Sequence, residues 1–492
     1  MKFPKWLQRA WPGAASGILI GLGFPPFGFG LAIFVALVPW LIQLRDSDLK
    51  SSWKIGYGLG LWYGLSQMFW ALLFVHRWTE SFLLSGIPYL ITSALFALYF
   101  GLAAIAIGKC YRGDKAWAIP AVWAGMEVLR SYVPALAFPW SLLAAPLGRY
   151  PELIQGAWFG TVFSLTAVVV AVNVLAAEVF GKPRGKAWMW MLVWIAAYAG
   201  LTAIRTVMPK PDAVTRRIGF VQPGEDLAFG NPETEPARLA MRFNRLLPLA
   251  RDEKPDLLVM PEGLVRVPFM PPAPPFGVAE GDQILFGGQR GTGPTYQSSF
   301  LWNGTTWQYS DKTRLVIFGE YVPFRDLLPK GFNLPSGDLQ PAKGDVKQMK
   351  GKVGVIGPVL CFEALFPDIP YRHAVAGSNL IAVMSLDDWF IGTPAIEQLR
   401  TASVWRAVET GLPVVRVGSL GTSLLIDRNG KLIDEAPLIQ PAAVVREMDI
   451  PSERTVFLGL PTFPILALVL FAWSLLFRIP HAKLGQKRSS PK

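Results

Sequence analysis

The sequence predicts a multispan α-helical membrane domain of about eight helices joined to an extracytoplasmic α/β sandwich. Three observations lead there. Of the 492 residues, 52% are hydrophobic and only 17% charged, whereas soluble domains average roughly a quarter charged. Apolar runs near the ~20 residues that cross a hydrocarbon core recur through the first 207 residues and once more near the end. Between them the pattern changes to short β runs separated by helical stretches. The 42 Pro, 47 Gly and 19 Trp are scattered without a repeat or low-complexity tract, which excludes a disordered or fibrous chain.

The predicted spans lie at 11–25, 27–44, 55–75, 83–108, 116–134, 154–180, 187–207 and 456–477. The third, fourth and last contain no Asp, Glu, Lys or Arg. The first is short and interrupted by Gly23, Pro25 and Pro26, but the multispan run behind it favours a retained helix over a signal peptide. Basic residues gather in alternate connections: Lys2, Lys5 and Arg9; Arg45, Lys50 and Lys54; Lys109, Arg112 and Lys115; Lys182, Arg184 and Lys186; then the tail after 477. The opposite short loops hold only Arg77 and Arg149. The positive-inside rule puts both termini in the cytoplasm, which requires an even number of spans. The +12 charge is accounted for by membrane orientation, so no nucleic-acid partner is expected.

The expected division is therefore a seven-helix membrane domain at 1–207, an external domain at 208–455, an eighth helix at 456–478 and a basic cytoplasmic tail at 479–492. Strands are expected in the external domain at 218–222, 257–260, 284–288, 298–302, 306–310, 353–360, 380–384, 414–417, 423–427 and 444–448. Asn303-Gly304 and Asn429-Gly430 supply hairpin turns. Helices are expected at 236–251 and 395–410, and the alternation suggests an α/β sandwich. The five prolines of 267–277 read as a semi-rigid surface loop or lid.

Orientation separates the two cysteines. Cys110 falls on the cytoplasmic side and Cys361 in the external domain, so they cannot pair. Cys361 follows the apolar run 353–360, at a strand end, where α/β folds tend to carry catalytic groups. A nucleophilic thiol needs a base or a lowered pKa; a buried structural cysteine is the plainer alternative. Of His76, His373 and His481, only His373 could form a Cys-His pair, and no local pattern supports it. No ligand set for zinc or another metal is visible. Among the carboxylates, Glu262 ends the apolar run 257–260, and Lys312 follows the strand 306–310 ahead of Phe318-Gly-Glu320-Tyr-Val-Pro323. Taken singly, these are a loop acid and an exposed lysine.

Together, Pro261-Glu262, Lys312 with Phe318–Pro323, and Cys361-Phe362-Glu363 resemble the Glu-Lys-Cys triad of the nitrilase superfamily. The eight-span layout around them resembles the apolipoprotein N-acyltransferase family, as do Phe24-Pro-Pro-Phe27, Phe138-Pro-Trp140, Asp387-Asp-Trp-Phe390 and Arg406-Ala-Val-Glu409-Thr-Gly411. The sequence departs from the family at Leu386, at Leu399, at Gly418-Ser-Leu-Gly421, at Phe362 and in lacking a tryptophan within 221–230. The resemblance implies a nitrilase-like external domain and an acyltransferase of the bacterial cytoplasmic (inner) membrane, with the catalytic domain on the periplasmic side.

By the same resemblance Glu262 is the base, Lys312 the oxyanion cation and Cys361 the nucleophile, supported by Glu320, Phe362 and Glu363. A phospholipid is the implied acyl donor, with a thioester on Cys361. The implied acceptor is the N-terminal amine of a diacylated apolipoprotein. No cofactor is implied, and a monomer is expected. Trp389, Phe390 and Arg130 are candidate lipid contacts, although core packing and a Glu127–Arg130 ion pair remain open readings. The rival readings keep the triad with water or another amine as acceptor, or make the chain a non-catalytic transporter, scaffold or inactive homologue.

Overall fold

The computed structural model describes residues 5–134, 136–181, 186–229, 235–271, 281–323, 338–453 and 461–477. The helical part runs α1 (Lys5–Gly23), α2 (Ile33–Ala36), α3 (Val38–Arg45), α4 (Leu49–Gln67), α5 (Phe69–Thr79), α6 (Phe82–Arg112), α7 (Ile119–Tyr132), α8 (Thr161–Phe180) and α9 (Ala187–Val207). All of the first seven predicted apolar runs contain helix, but several are broken. Pro39 near the start of α3 separates it from α2, because its ring and missing amide interrupt the ladder four residues back. Helix α7 is only 14 residues long, bounded by Pro120 in its first turn and by Pro134, ahead of which Val133 turns extended.

Among the described residues α6, α8 and α9 are each long and apolar enough to cross a bilayer, and α4 with α5 makes a fourth candidate bent by 49°. The other apolar runs give shorter helices, including the last, Thr462–Leu476.

The α/β part contains β1 (Ala213–Gln222), α10 (Glu235–Asp252), β2 (Leu257–Val259), β3 (Val265–Val267), β4 (Ile284–Arg290), β5 (Tyr296–Trp302), β6 (Trp307–Asp311), β7 (Met349–Gly351), β8 (Gly354–Leu360), α11 (Asp368–Val375), β9 (Leu380–Ser385), α12 (Ala395–Thr410), β10 (Val414–Gly418), β11 (Leu424–Ile426), β12 (Leu432–Glu435) and β13 (Ala442–Pro451), followed by α13 (Thr462–Leu476). One sheet has the order β13-β1-β2-β4-β5-β6 with β3 also on β4; the other has the order β12-β11-β10-β9-β8-β7.

Ile218, Phe220, Leu257 and Leu285 of the first sheet meet Ile356, Leu380, Met384 and Val415 of the second in one buried core. Phe243, Leu246 and Leu247 of α10 cover the outer face of the first sheet. The outer face of the second sheet buries Val359, Ile381 and Val383 against α11 and α12, and that cluster continues without a break into the apolar helices. The parallel trios β1-β2-β4 and β8-β9-β10 both end towards the same edge, where the predicted site residues emerge.

The segment 267–277 is described only through Pro271, and the tail 479–492 lies outside the described residues.

Candidate active site

Glu262 sits where the first sheet changes partner. The chain pairs with β4 through β2, leaves it at Met260 and rejoins it as β3 at Val265. Glu262 occupies that gap, buried, against Gly287 of β4. A Cβ on Gly287 would lie 2.8 Å from Glu262 Cα and 3.2 Å from its Cβ and Cγ, so only glycine lets the acid lie so close to the sheet. Lys312 leaves the end of β6 and turns inward; its backbone amide donates to Gln297 O at 2.8 Å. Its Nζ lies 2.7 Å from Glu320 Oε1 and 3.5 Å from Glu262 Oε1, in full burial.

Cys361 follows β8 at φ +48°, a left-handed conformation rare for a side-chain-bearing residue, and opens a short 3-10 helix through Leu365. Such strain is held by surrounding structure, and here Glu363 does the holding. One of its oxygens accepts from Leu360 N at 3.0 Å; the other accepts from Thr313 N at 2.6 Å, Thr313 Oγ1 at 2.7 Å and Arg314 N at 3.0 Å. The same carboxylate therefore fastens the Cys361 turn to the residues after Lys312. Glu320, besides meeting Lys312, accepts from Val316 N at 2.9 Å, which closes its own loop.

Electrostatics give the three groups different states. Burial pushes the Glu262 carboxyl up to about 7, with Lys312 pulling it down and Glu320 adding to the rise. Burial pushes the Cys361 thiol up to about 12; Glu262 adds to this and Lys312 opposes it. Burial alone would lower the Lys312 ammonium, but Glu262, Glu320 and Cys361 together hold it well above its ordinary value. The site thus keeps a charged lysine beside a carboxyl poised near neutrality and a protonated thiol. Glu262 Oε2 accepts from Leu386 N at 3.1 Å, while Oε1 faces the Lys312 ammonium.

Phe362 is buried beneath Trp140, ring centroids 6.5 Å apart, and edge-on to Phe366 at 5.3 Å. Among the described residues, Trp389 and Phe390 contact other aromatic rings and not the triad. They stack on the helical part: Trp389 on Trp78 at 5.3 Å and Phe390 on Trp70 at 5.4 Å and Trp140 at 5.7 Å. Arg130 is buried, donating to Phe138 O at 2.9 Å, Trp140 O at 2.6 Å and Ser141 O at 3.3 Å. No ion pair joins it to Glu127 among the described residues; Glu127 instead accepts from Leu143 N at 2.8 Å and Thr166 Oγ1 at 3.0 Å. Arg130 thus shapes the segment that carries Trp140. His373 lies on α11 against the outer face of the second sheet, its Cβ beside Gly357. Burial depresses it to about 3, so it is a neutral core side chain away from Cys361.

Sequence reasoning missed the Leu386 amide, Gly287 and the layer beneath the site. There Asp387 accepts from Ser385 Oγ at 2.5 Å and Arg416 Nη2 at 2.7 Å, all three buried. An arginine inside the apolar strand 414–417 was a readable signal, because a buried guanidinium requires a carboxylate. Backbone donors carry no sequence signal. Leu386, a departure from the family pattern, serves Glu262 through its amide, which any residue but proline supplies. Leu399 is buried in the core between α12 and the helices.

Comparison with known proteins agrees with this architecture. Residues 16–175 match the model of the apolipoprotein N-acyltransferase N-terminal domain, and residues 290–455 match that of carbon-nitrogen hydrolase. The second match includes Lys312 and Cys361 but begins after Glu262. An apolipoprotein N-acyltransferase of Allorhizobium ampelinum is 29% identical over 86% of this chain and 87% of its own length. One from Pseudomonas syringae pv. tomato is 28% identical over 96% and 98%. The crystal structure of a Saccharomyces cerevisiae member of branch 10 of the nitrilase superfamily aligns with 48% of this chain and 90% of that one, at 18% identity and a TM-score of 0.38. The chain is a carbon-nitrogen hydrolase-type enzyme built onto apolar helices. Over most of its length it is similar to apolipoprotein N-acyltransferases.

Proposed function

We propose that this chain transfers a fatty acyl group from a phospholipid, through a thioester on Cys361, to the N-terminal α-amino group of diacylglyceryl-cysteine in apolipoproteins. The observation that carries the reading is the buried Glu262–Lys312–Cys361 trio beside helices apolar enough to lie in a bilayer. Glu262 takes the proton of Cys361 as its sulfur attacks the ester carbonyl. The resting thiol is far too basic to ionise alone, so deprotonation accompanies attack. Lys312 stabilises the oxyanion, a contribution commonly of about 10²–10³ in rate. Collapse breaks the ester C–O bond, and Glu262 returns the proton to the departing lysophospholipid. The acceptor amine then attacks the thioester, giving up a proton to Glu262. The amide forms, and Cys361 leaves as a thiolate that recovers the proton.

The same proposal divides the chain into a seven-helix membrane domain at 1–207, a catalytic domain at 208–455 and an eighth helix at 456–478, acting as a monomer. It puts both termini in the cytoplasm and the catalytic domain on the periplasmic side of the inner membrane. Arg77 and Arg149, the two bases of the outer short loops, favour this orientation. Each pairs with an acid of the α/β part, Arg77 with Asp226 at 3.0 Å and Arg149 with Glu397 at 3.2 Å.

The test is intact-mass spectrometry of detergent-purified protein after incubation with a defined phospholipid. A hydroxylamine-sensitive acyl adduct on Cys361, absent from Cys361→Ala and discharged by a diacylated lipopeptide, is expected. Discharge by water alone would make the enzyme a membrane-tethered esterase instead; no adduct with any phospholipid would overturn the reading.

A further inference from the structure

The loop that touches Glu262 is held from the helical side by one arginine. Arg77, near the C-terminal end of α5, donates through Nη1 to Asp388 O at 2.6 Å and through Nη2 to Asp226 Oδ2 at 3.0 Å. Its guanidinium lies 4.0 Å above the Phe229 ring. Two residues before Asp388 in sequence, Leu386 gives its amide to Glu262 Oε2. The remaining anchors of this loop come from within the α/β part: Arg416, Ser385 and Thr422 on the Asp387 carboxylate, and Leu227 N and Ser419 on that of Asp388. Those anchors fix side chains. Arg77 grips the loop's backbone, at the Asp388 carbonyl, and it does so from an apolar helix outside the α/β part. Trp389 and Phe390 stack on the same helix, at Trp78 and Phe74.

We infer that Arg77 is a positioning residue for the reaction: by holding the Asp388 carbonyl it keeps the Leu386 amide on Glu262, and so couples the geometry of the base to the seating of the α/β part on α5. A planar guanidinium suits the task, because its fork serves a carbonyl and a carboxylate at once while the flat face rests on an aromatic ring. If the grip is released, Leu386 N–H leaves the carboxylate, and a carboxylate that loses a donor becomes more basic. The groups that face Glu262 are Lys312 and Glu320 from the loop after β6, Cys361 from the end of β8, Gln297 on β5 and the Leu386 amide. Only the last is changed by Arg77.

The inference deepens the acyl-transfer reading but can be tested apart from it. In full-length protein carrying Cys110→Ala, the rate of Cys361 alkylation by iodoacetamide is followed against pH by mass spectrometry, and thioester formation from phospholipid is followed in parallel. Arg77→Gln is expected to move the apparent midpoint of the Glu262–Cys361 pair up by about half a pH unit or more. Its alkylation and thioester formation at neutral pH should slow about threefold or more, as that shift requires. Arg77→Lys, which keeps the charge and stem but not the fork, is expected to fold and shift less in the same direction. Asp226→Asn, which weakens the ion pair and leaves the grip on Asp388, is expected to keep the wild-type midpoint. A folded Gln or Lys variant with the wild-type midpoint overturns the inference, and so does an equal shift in Asp226→Asn. Failure of the acyl-transfer reading is seen separately, as the absence of any thioester in the wild type.

Discussion

Glu262, Lys312 and Cys361 are 50 and 49 residues apart in sequence, and what brings them together is that each follows a strand, β2, β6 or β8, where the two sheets meet. Because burial lifts Glu262 to about 7 while the base must be ionised to act, acylation of Cys361 should rise with pH through that value. Glu262→Gln should remove this limb and lower the rate about 10²-fold or more; a pH series of single-turnover thioester formation checks both. Gly287→Ala tests the close approach behind the base. An added methyl 2.8 Å from Glu262 Cα must push the acid off Lys312, so activity should fall about tenfold or more while global stability falls by about 1–3 kcal/mol. A variant with wild-type rates would show that β4 yields without moving Glu262. The trio was readable through its resemblance to the nitrilase Glu-Lys-Cys pattern, since singly Glu262 reads as a loop acid and Lys312 as an exposed lysine. The left-handed turn at Cys361 was not, since nothing in Cys-Phe-Glu demands φ +48°.

At the scale of elements, strands with an apolar run of their own were readable, three-residue β2 and β11 included, and those without one were not. Strands β3, β7 and β12 hold three or four residues each and exist because a longer neighbour offers its edge, not because of their own pattern. Helix α11 begins in Asp-Ile-Pro, which reads as a turn. It is helical because proline is tolerated in a first turn and because Ile369 and Ala374 pack into the core. Helix contacts were equally invisible. Gly125 of α7 faces α13 so closely that a Cβ would meet Ala467 O at 2.1 Å; Gly125→Val should separate the two helices and lower the thermal midpoint in detergent by several degrees.

Helix α12 reaches across in another way. Glu409, paired with Arg406 at 2.8 Å, accepts from Val162 N at 2.7 Å in the first turn of α8. Burial raises its carboxyl to about 7 despite Arg406. A carboxyl whose folded value lies above its unfolded one adds stability below about 4.5 and loses it as pH rises through about 7. Glu409→Gln keeps an acceptor for Val162 N without the titration, so its stability should be flatter between pH 5 and 8 than that of the wild type. An identical pH dependence would mean that Glu409 stays ionised throughout.

For the whole molecule, the composition foretold apolar helices joined to an α/β part, but not that the two share one core. Leu399 and Trp405 of α12 belong to the same buried cluster as Trp123 and Phe163 of the helices, and Trp405 Nε1 donates to Ala145 O at 3.0 Å. Gln155 Nε2 reaches Asn429 O at 2.8 Å, at the turn of the β11–β12 hairpin. Where two parts meet through few contacts, each can be expected to fold alone; here the outer layer of the second sheet is completed by the helices. Residues 208–455 expressed without them would expose the Leu399–Trp405 face to water, an apolar patch of the kind that drives association. That fragment should therefore aggregate, or remain soluble only with detergent. It should also lose the Arg77 contact and the stacking of Trp389 and Phe390, and with them the alignment of the 386–390 loop on Glu262. Light scattering and Cys361 alkylation on the fragment read the two consequences separately. A monodisperse fragment whose Cys361 reacts with the full-length pH profile would mean that the helices anchor the site without shaping it.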